Sequence, residues 1–202
     1  MKTSTWSELT FASVDATISV ANSDTDVVAA YLASPTYKSN NLLTFGHVLC
    51  QVGTAAIKAP AGYTVSDFKL AITPIYSGTY SVKDATWAAG SAASAVYLIG
   101  TANAGVNISS EGGSYTSPDN DLWLVPGTYT LTATYTIAKG NFSKAYTKTA
   151  TVALVIGKNN NLVLPGENHD EPNIPDPGDD ISDITFTVDV TPWSNNDIPV
   201  TF

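Results

Sequence analysis

The sequence contains no arginine, and all nine of its basic residues are lysine. Its formal net charge is −9 at pH 7, because 18 acidic residues outnumber those nine. Surfaces that bind phosphate normally use the arginine fork, and an acidic chain repels a polyanion. The sequence therefore argues against nucleic acid as a partner, and the same sign of charge disfavours an anionic membrane surface.

Cysteine and long apolar runs are also scarce. The single cysteine, Cys50, excludes an internal disulfide framework. The longest apolar stretches, such as 152–156, fall far short of the roughly 18 residues that a membrane-spanning helix requires. Residues 1–8 contain no apolar signal core. We therefore expect either a cytoplasmic chain or one whose export signal has been removed.

Hydroxyl residues take the place of charged ones, with 26 threonines and 19 serines against only 13% charged residues. Threonine, valine and tyrosine fit a pleated, half-buried surface, so this composition favours sheet over helix. Apolar and polar residues alternate clearly over 127–138 and 184–191. We predict strands at residues 9–14, 16–21, 42–52, 63–72, 95–99, 121–125, 127–138, 150–156 and 184–191.

Glycine and proline turns separate these segments, and the only helix-like window is 23–33, where Asp24 could cap a short turn. Many short strands with almost no helix predict an all-β fold, an antiparallel β-sandwich with long loops. Residues 165–183 hold four prolines and many acids. Because this segment has almost nothing apolar to bury, we predict an exposed acidic, proline-rich loop between strands.

Candidate ligands and catalytic groups are few. The acidic loop offers Asp176, Asp179 and Asp180 as calcium ligands, but it lacks the Asp-x-Asp-x-Asp-Gly spacing of a calcium loop, so we favour a solubilising role and predict no metal or cofactor. His47 and Cys50 lie three apart on a predicted strand and face opposite sides, which excludes a local dyad. We expect a structural histidine and an inert core cysteine.

Motifs of catalysis are absent from the sequence, including the nucleophile elbow, the phosphate loop and zinc-ligand spacing. Carboxylate pairs involving Asp119 and Asp121, or Asp179 and Asp180, stay open as an alternative. We therefore expect no enzyme and assign no catalytic residue. The threonines at alternate positions over 128–136 suggest an ice-binding face, but we expect no matching ladder on an adjacent strand and favour an ordinary solvent face.

Residues 198–202 alternate again, with Ile198, Val200 and Phe202 on one face. Pro199 fits the edge of a sheet rather than its centre. Such a strand either closes its own sheet or pairs with a groove on a neighbouring subunit, which is strand addition at an open edge.

Seven collinear segments between about residues 24 and 193 resemble the fimbrillin-like proteins of Bacteroidales, the subunits of type V pili. They are 26–30 (DVVAA), 43–52 (LTFGHVLCQV), 60–65 (PAGYTV), 77–80 (SGTY), 122–126 (LWLVP), 157–159 (GKN) and 184–188 (ITFTV), the last followed by Val190 and Trp193. The resemblance implies a transthyretin-like or immunoglobulin-like sandwich, export as a lipoprotein to the outer membrane, and polymerisation by donation of a terminal strand.

On this resemblance, residues 1–33 hold amino-terminal strands or the remnant of a first domain, and residues 34–202 form the fimbrillin-like β-sandwich. Ile198, Val200 and Phe202 are the natural donor positions. The resemblance implies a structural subunit of a cell-surface fimbrium whose partners are other fimbrial subunits, with adhesion to a host or bacterial surface protein or glycan. The alternative is a secreted carbohydrate- or protein-binding β-sandwich module, which clustered exposed aromatic residues would favour.

Overall fold

The computed structural model describes residues 26–32 and 43–164, together with the backbone of two further strands, Thr17–Val20 and Thr187–Pro192. The strands are β1 (Thr17–Val20), β2 (Val28–Ala29), β3 (Gly46–His47), β4 (Cys50–Lys58), β5 (Thr64–Ile72), β6 (Gly78–Ser81), β7 (Thr86–Ala89), β8 (Val96–Ile99), β9 (Val106–Ile108), β10 (Ser114–Thr116), β11 (Leu122–Leu124), β12 (Gly127–Lys139), β13 (Phe142–Leu154), β14 (Lys158–Leu164) and β15 (Thr187–Pro192).

Two five-stranded sheets form the body of the molecule. The first has the order β13-β12-β5-β8, with β9 also paired to β5. The second has the order β10-β4-β14-β15, with β11 also paired to β4. Buried side chains from both sheets form one hydrophobic core, to which β12 contributes Leu131 and β14 contributes Leu162. The predicted all-β sandwich is therefore confirmed, and every regular element in the described part of the chain is a strand.

A buried tyrosine holds the turn that precedes the β12–β13 hairpin. Tyr129, the third residue of β12, is buried, and its hydroxyl donates a hydrogen bond to the carbonyl of Val125, four residues upstream. This is the geometry of a tyrosine corner, which closes the turn before a central strand in many antiparallel sandwiches. From this corner the chain runs through 13 residues of β12 and returns through 13 residues of β13.

A small three-stranded sheet, β1-β6-β7, lies beside the sandwich. A second, smaller hydrophobic cluster lies next to this sheet. Leu49 and Val125 form the buried centre of that cluster, and Trp87 and Trp123 pack against it. The indole nitrogen of Trp87 donates to the carbonyl of Val48 at 2.7 Å. Trp87 and Trp123 therefore pack against the body of the fold. In the described residues, no helix is long and apolar enough to span a membrane.

Several predicted strands have counterparts among the described residues, whereas the strand predicted at 9–14 and the loop predicted at 165–183 lie outside them. Three details of the prediction were wrong, and the strands β6, β7, β9, β10 and β14 were not predicted. The strand predicted at 42–52 is interrupted, because the amide of Val48 donates to the carbonyl of Val27 instead of continuing the strand. The helix-like window at 23–33 is wrong over its described residues 26–32, which contain the short strand β2. The strand predicted at 150–156 has other bounds, because β13 begins at Phe142 and ends at Leu154, and Ile156 is exposed in the turn that follows.

The expected absence of a second threonine ladder was also wrong. Three cross-strand pairs join the outward faces of β12 and β13: Thr130 with Thr151, Thr132 with Thr149, and Thr134 with Thr147. Directly opposed threonines stabilise an antiparallel pair, so the double ladder supports the long hairpin.

Candidate functional site

The edges of the two large sheets are the parts of this fold to which another strand could be added. Among the described strands, β15 pairs only with β14, and β13 pairs only with β12. Edge strands carry unpaired backbone N–H and C=O groups on their outer side, which makes them templates for strand addition. The strands β8, β9, β10 and β11 also pair with a single described neighbour each. Of these edges, β13 is the longest strand and β15 precedes the predicted donor segment, so both are relevant to assembly.

The strand β15 leads directly into the predicted donor segment. It runs antiparallel to β14, from Thr187 opposite Val163 to Pro192 opposite Lys158. The donor positions Ile198, Val200 and Phe202 lie outside the described residues, as do the calcium candidates Asp176, Asp179 and Asp180. Both assignments stay predictions.

The strand β13, at one edge of the first sheet, has two contrasting faces. Its outward side chains are serine, threonine and alanine over residues 143–153. On the opposite face, Tyr146, Val152 and Leu154 are buried in the core, while Lys144 and Lys148 flank Tyr146. The strand also contacts β4 and β15 of the other sheet. Its core-facing side is therefore apolar at one end and basic at the other.

His47 holds the segment 26–32 against the sandwich. Its Nδ1 lies 2.7 Å from the Oδ2 of Asp26, and both side chains are largely covered. Burial raises the pKa of Asp26, and the nearby imidazole partly opposes this shift. The second carboxylate oxygen, Oδ1, is buried without a hydrogen-bond partner in the described part of the chain. The pair fits the predicted structural role of His47, since it joins two neighbouring short strands, β2 and β3.

Cys50 is buried at the start of β4, where its Sγ donates to the carbonyl of Leu124 at 3.3 Å. Burial raises the pKa of its thiol to about 12. The thiolate, the reactive form of cysteine, is therefore negligible at neutral pH. The structure fits the expected inert core residue.

A row of asparagines, which sequence reasoning missed, organises the start of β14. Asn160 is fully buried, and its Nδ2 donates to the carbonyls of Gln51 and Lys158, both at 3.0 Å. Its Oδ1 accepts from the amide of Val155 at 3.3 Å. These bonds tie the β13–β14 turn to β4, alongside which β14 runs parallel. In the sequence, the run of three asparagines at 159–161 was the feature that could have indicated this hydrogen-bonded strand.

Of the carboxylates left open for acid–base chemistry, Asp179 and Asp180 lie outside the described residues, and Asp119 and Asp121 are engaged in hydrogen bonds of a turn. Asp119 Oδ1 accepts from the backbone amide of Asp121, whose own Oδ1 accepts from Gln51 Nε2 at 2.9 Å and from Trp123 Nε1 at 3.1 Å. These contacts shape the turn before β11. Among the residues with described side chains, no group of three or more histidine, cysteine or acidic residues is placed to hold a metal ion.

No protein-family model matches the chain, and no curated protein matches its sequence. Among solved structures it is similar to a "putative cell adhesion protein" from Bacteroides ovatus ATCC 8483, with a TM-score of 0.35 and 17% identity over 77% of this chain and 49% of that one. It is also similar to a "putative cell adhesion protein" from Bacteroides uniformis ATCC 8492, with a TM-score of 0.31 and 14% identity over 93% and 70% of the two chains. The chain thus spans about half the length of the first of these proteins.

Proposed function

We propose that this chain is a structural subunit of a cell-surface fimbrium, and that it assembles by donating residues 198–202 to the next subunit. One observation carries the proposal: among the described strands β15 lies at the edge of its sheet, and it is followed in the sequence by residues 193–202, in which Ile198, Val200 and Phe202 alternate with polar or small residues. A segment joined to an edge strand is well placed to reach a neighbouring molecule.

The energetics of such a contact are favourable. An added strand satisfies the unpaired backbone groups of an acceptor edge, and its alternate side chains fill the groove beneath. Full burial of a large apolar side chain contributes about 1.5–3 kcal/mol, so three of them supply several kcal/mol. Pro199 lacks an amide hydrogen, so strand donation requires a register in which residue 199 does not donate to the acceptor.

Location and partners belong to the same proposal. We place the subunit at the cell surface after export, associated with the outer membrane as a lipoprotein, with other fimbrial subunits as its partners. Adhesion to a host or bacterial surface protein or glycan would then be a property of the assembled fibre. A threonine-rich, weakly charged sandwich with one buried cysteine suits that setting, since it needs no reduced thiol or disulfide to stay folded.

The test compares the intact chain with a chain lacking residues 197–202. Molar mass from light scattering and negative-stain electron microscopy are measured over a range of concentrations. The proposal predicts oligomers or filaments from the intact chain and monomers from the shortened one. Val200→Asp should reproduce the deletion, because it places a charge in the groove, whereas Thr201→Asp, on the opposite face, should assemble normally.

Monomers from every one of these chains would overturn strand donation. The secreted binding module would then be the function to test. Equal assembly of the Val200→Asp and Thr201→Asp chains would also contradict the proposal, because donation requires the alternation of faces to matter.

A further inference from the structure

The outer edge of β13 is a place where a strand of another chain could pair. β13 is 13 residues long, and among the described strands it pairs only with β12. A long edge strand is a template for pairing with another chain. The simplest partner is β13 of a second copy, since two identical antiparallel strands can pair around a two-fold axis.

Register places two lysines on the core-facing side of this edge. Lys144 lies opposite Ile137 and Lys148 lies opposite Ala133. Ile137 and Ala133 are 1% and 0% exposed, and directly opposed residues in an antiparallel pair share a face. Lys148 is half-buried, and Lys144 is exposed near the hairpin turn. Both ammonium groups therefore belong to the side of the strand that a second strand would extend as core.

Tyr146 lies between these lysines and contacts both. The Nζ of Lys144 is 5.1 Å from the centroid of its ring, and the Nζ of Lys148 is 5.8 Å from it. Both distances fall within the range of cation–π attraction. The ring of Tyr146, which is itself buried, therefore helps to hold both cations along the inner face of β13.

We propose that Lys144 and Lys148 protect β13 against strand addition by β13 of a second copy. A strand added along residues 142–148 would extend the sheet and enclose the two ammonium groups beneath it. Removing an ion from water is unfavourable unless a partner compensates, and a second β13 would bring two more lysines of the same sign. The protection concerns β13 alone and does not depend on donation by residues 198–202.

The test removes both charges in the full chain with Lys144→Thr and Lys148→Thr, since threonine is favoured in strands. Self-association is measured by light scattering over a concentration range, in the parent and in a Val200→Asp background. The proposal predicts that the double substitution raises the association constant at least about tenfold in both backgrounds. Backbone amides of β13 should then become protected from hydrogen exchange. No change in association, or new protection elsewhere but not in β13, would overturn it.

Two controls test whether the effect comes from a charge at these inward positions, rather than from the sign of that charge or from the net charge of the chain. Lys144→Glu with Lys148→Glu keeps a charge at each inward position, so this chain should associate no more than the parent. Association as strong as that of the threonine variant would contradict the proposal. Lys58→Thr with Lys69→Thr makes the same change in net charge on strands inside the sheets, and it should leave association unchanged. If the threonine variant folds poorly, Lys144→Gln with Lys148→Gln provides the same comparison.

Discussion

The hydroxyl of Tyr129 donates a hydrogen bond to the backbone carbonyl of Val125 within the buried corner that begins β12. Tyr135, three inward positions further along the same strand, is equally buried, but its hydroxyl has no hydrogen-bond partner among the described residues. The two tyrosines therefore lie on the same face of the same strand and are equally buried. They differ in that only the hydroxyl of Tyr129 forms a hydrogen bond among the described residues.

Replacement of each tyrosine by phenylalanine should separate these two situations. We expect Tyr129→Phe to lower the free energy of unfolding by about 1 kcal/mol or more, because the Val125 carbonyl loses its side-chain donor. Tyr135→Phe should leave stability unchanged or raise it, because it removes a buried hydroxyl that bonds to nothing while keeping the ring stacked on Tyr146. Urea unfolding of both variants measures the difference. Equal losses would contradict the assigned role of the corner.

Alkaline pH should destabilise the protein through the same residues. Burial raises the pKa of Tyr129 and of Tyr135 above the ordinary value of 10.0. The native state then holds protons that the unfolded chain has lost, so the contribution of these two tyrosines to stability is full below about pH 10 and decreases above it. Each tyrosine contributes a slope of up to about 1.4 kcal/mol per pH unit in that range. Subtracting the unfolding curve of Tyr135→Phe from that of the parent isolates one of these slopes, and a flat difference would be contrary to expectation.

The His47–Asp26 pair should make the stability of the protein depend on pH in the acidic range as well. Because the pKa of Asp26 is raised above 3.8, the protonated carboxyl is favoured in the native state. Its contribution to stability is therefore full below about pH 3.8 and is lost as the pH rises through the native pKa. The stability of the parent relative to Asp26→Asn should decrease as the pH rises above about 3.8.

Asp84→Asn, on an exposed turn, is the matched control for this measurement. The same pH dependence for both substitutions would assign the effect to general charge rather than to burial of Asp26.

Gly105 is predicted to be the least replaceable of the described glycines. A Cβ there would lie 2.2 Å from the backbone carbonyl carbon of Asp67, and its amide donates to Asp67 Oδ1 at 2.8 Å. No side-chain rotation relieves a backbone clash, so Gly105→Ala should cost about 2–3 kcal/mol of unfolding free energy. Gly127→Ala, where the new Cβ meets nothing within 4 Å, should change stability by less than about 0.5 kcal/mol. Thermal or urea unfolding of the pair tests this.

Local alternation explains which parts of the fold could be predicted. The strand β12 was foreseen almost to the residue, because its apolar and threonine positions alternate without a break. The strand β14 was missed because Asn160 occupies a core position, where its hydrogen bonds replace apolar packing. Its parallel pairing with β4 joins residues about a hundred positions apart, and no local pattern encodes such a contact.

The candidate site could also be predicted only where it depends on a local sequence pattern. Alternation at Ile198, Val200 and Phe202 is visible in the sequence, so a donor segment could be named, while its acceptor depends on which strands end at an edge. The inward position of Lys144 and Lys148 follows from the register with β12, and in the sequence alone these lysines look like ordinary surface charges.

The most direct test of strand donation mixes the intact chain, labelled with a heavy isotope, with an unlabelled chain lacking residues 197–202. Native mass spectrometry then counts the copies of each in every oligomer. Because the shortened chain can accept a strand but not donate one, we predict that each linear oligomer contains at most one shortened copy and that this copy caps its growth. Oligomers built from two or more shortened copies, formed as readily as those of the intact chain, would contradict the proposed function.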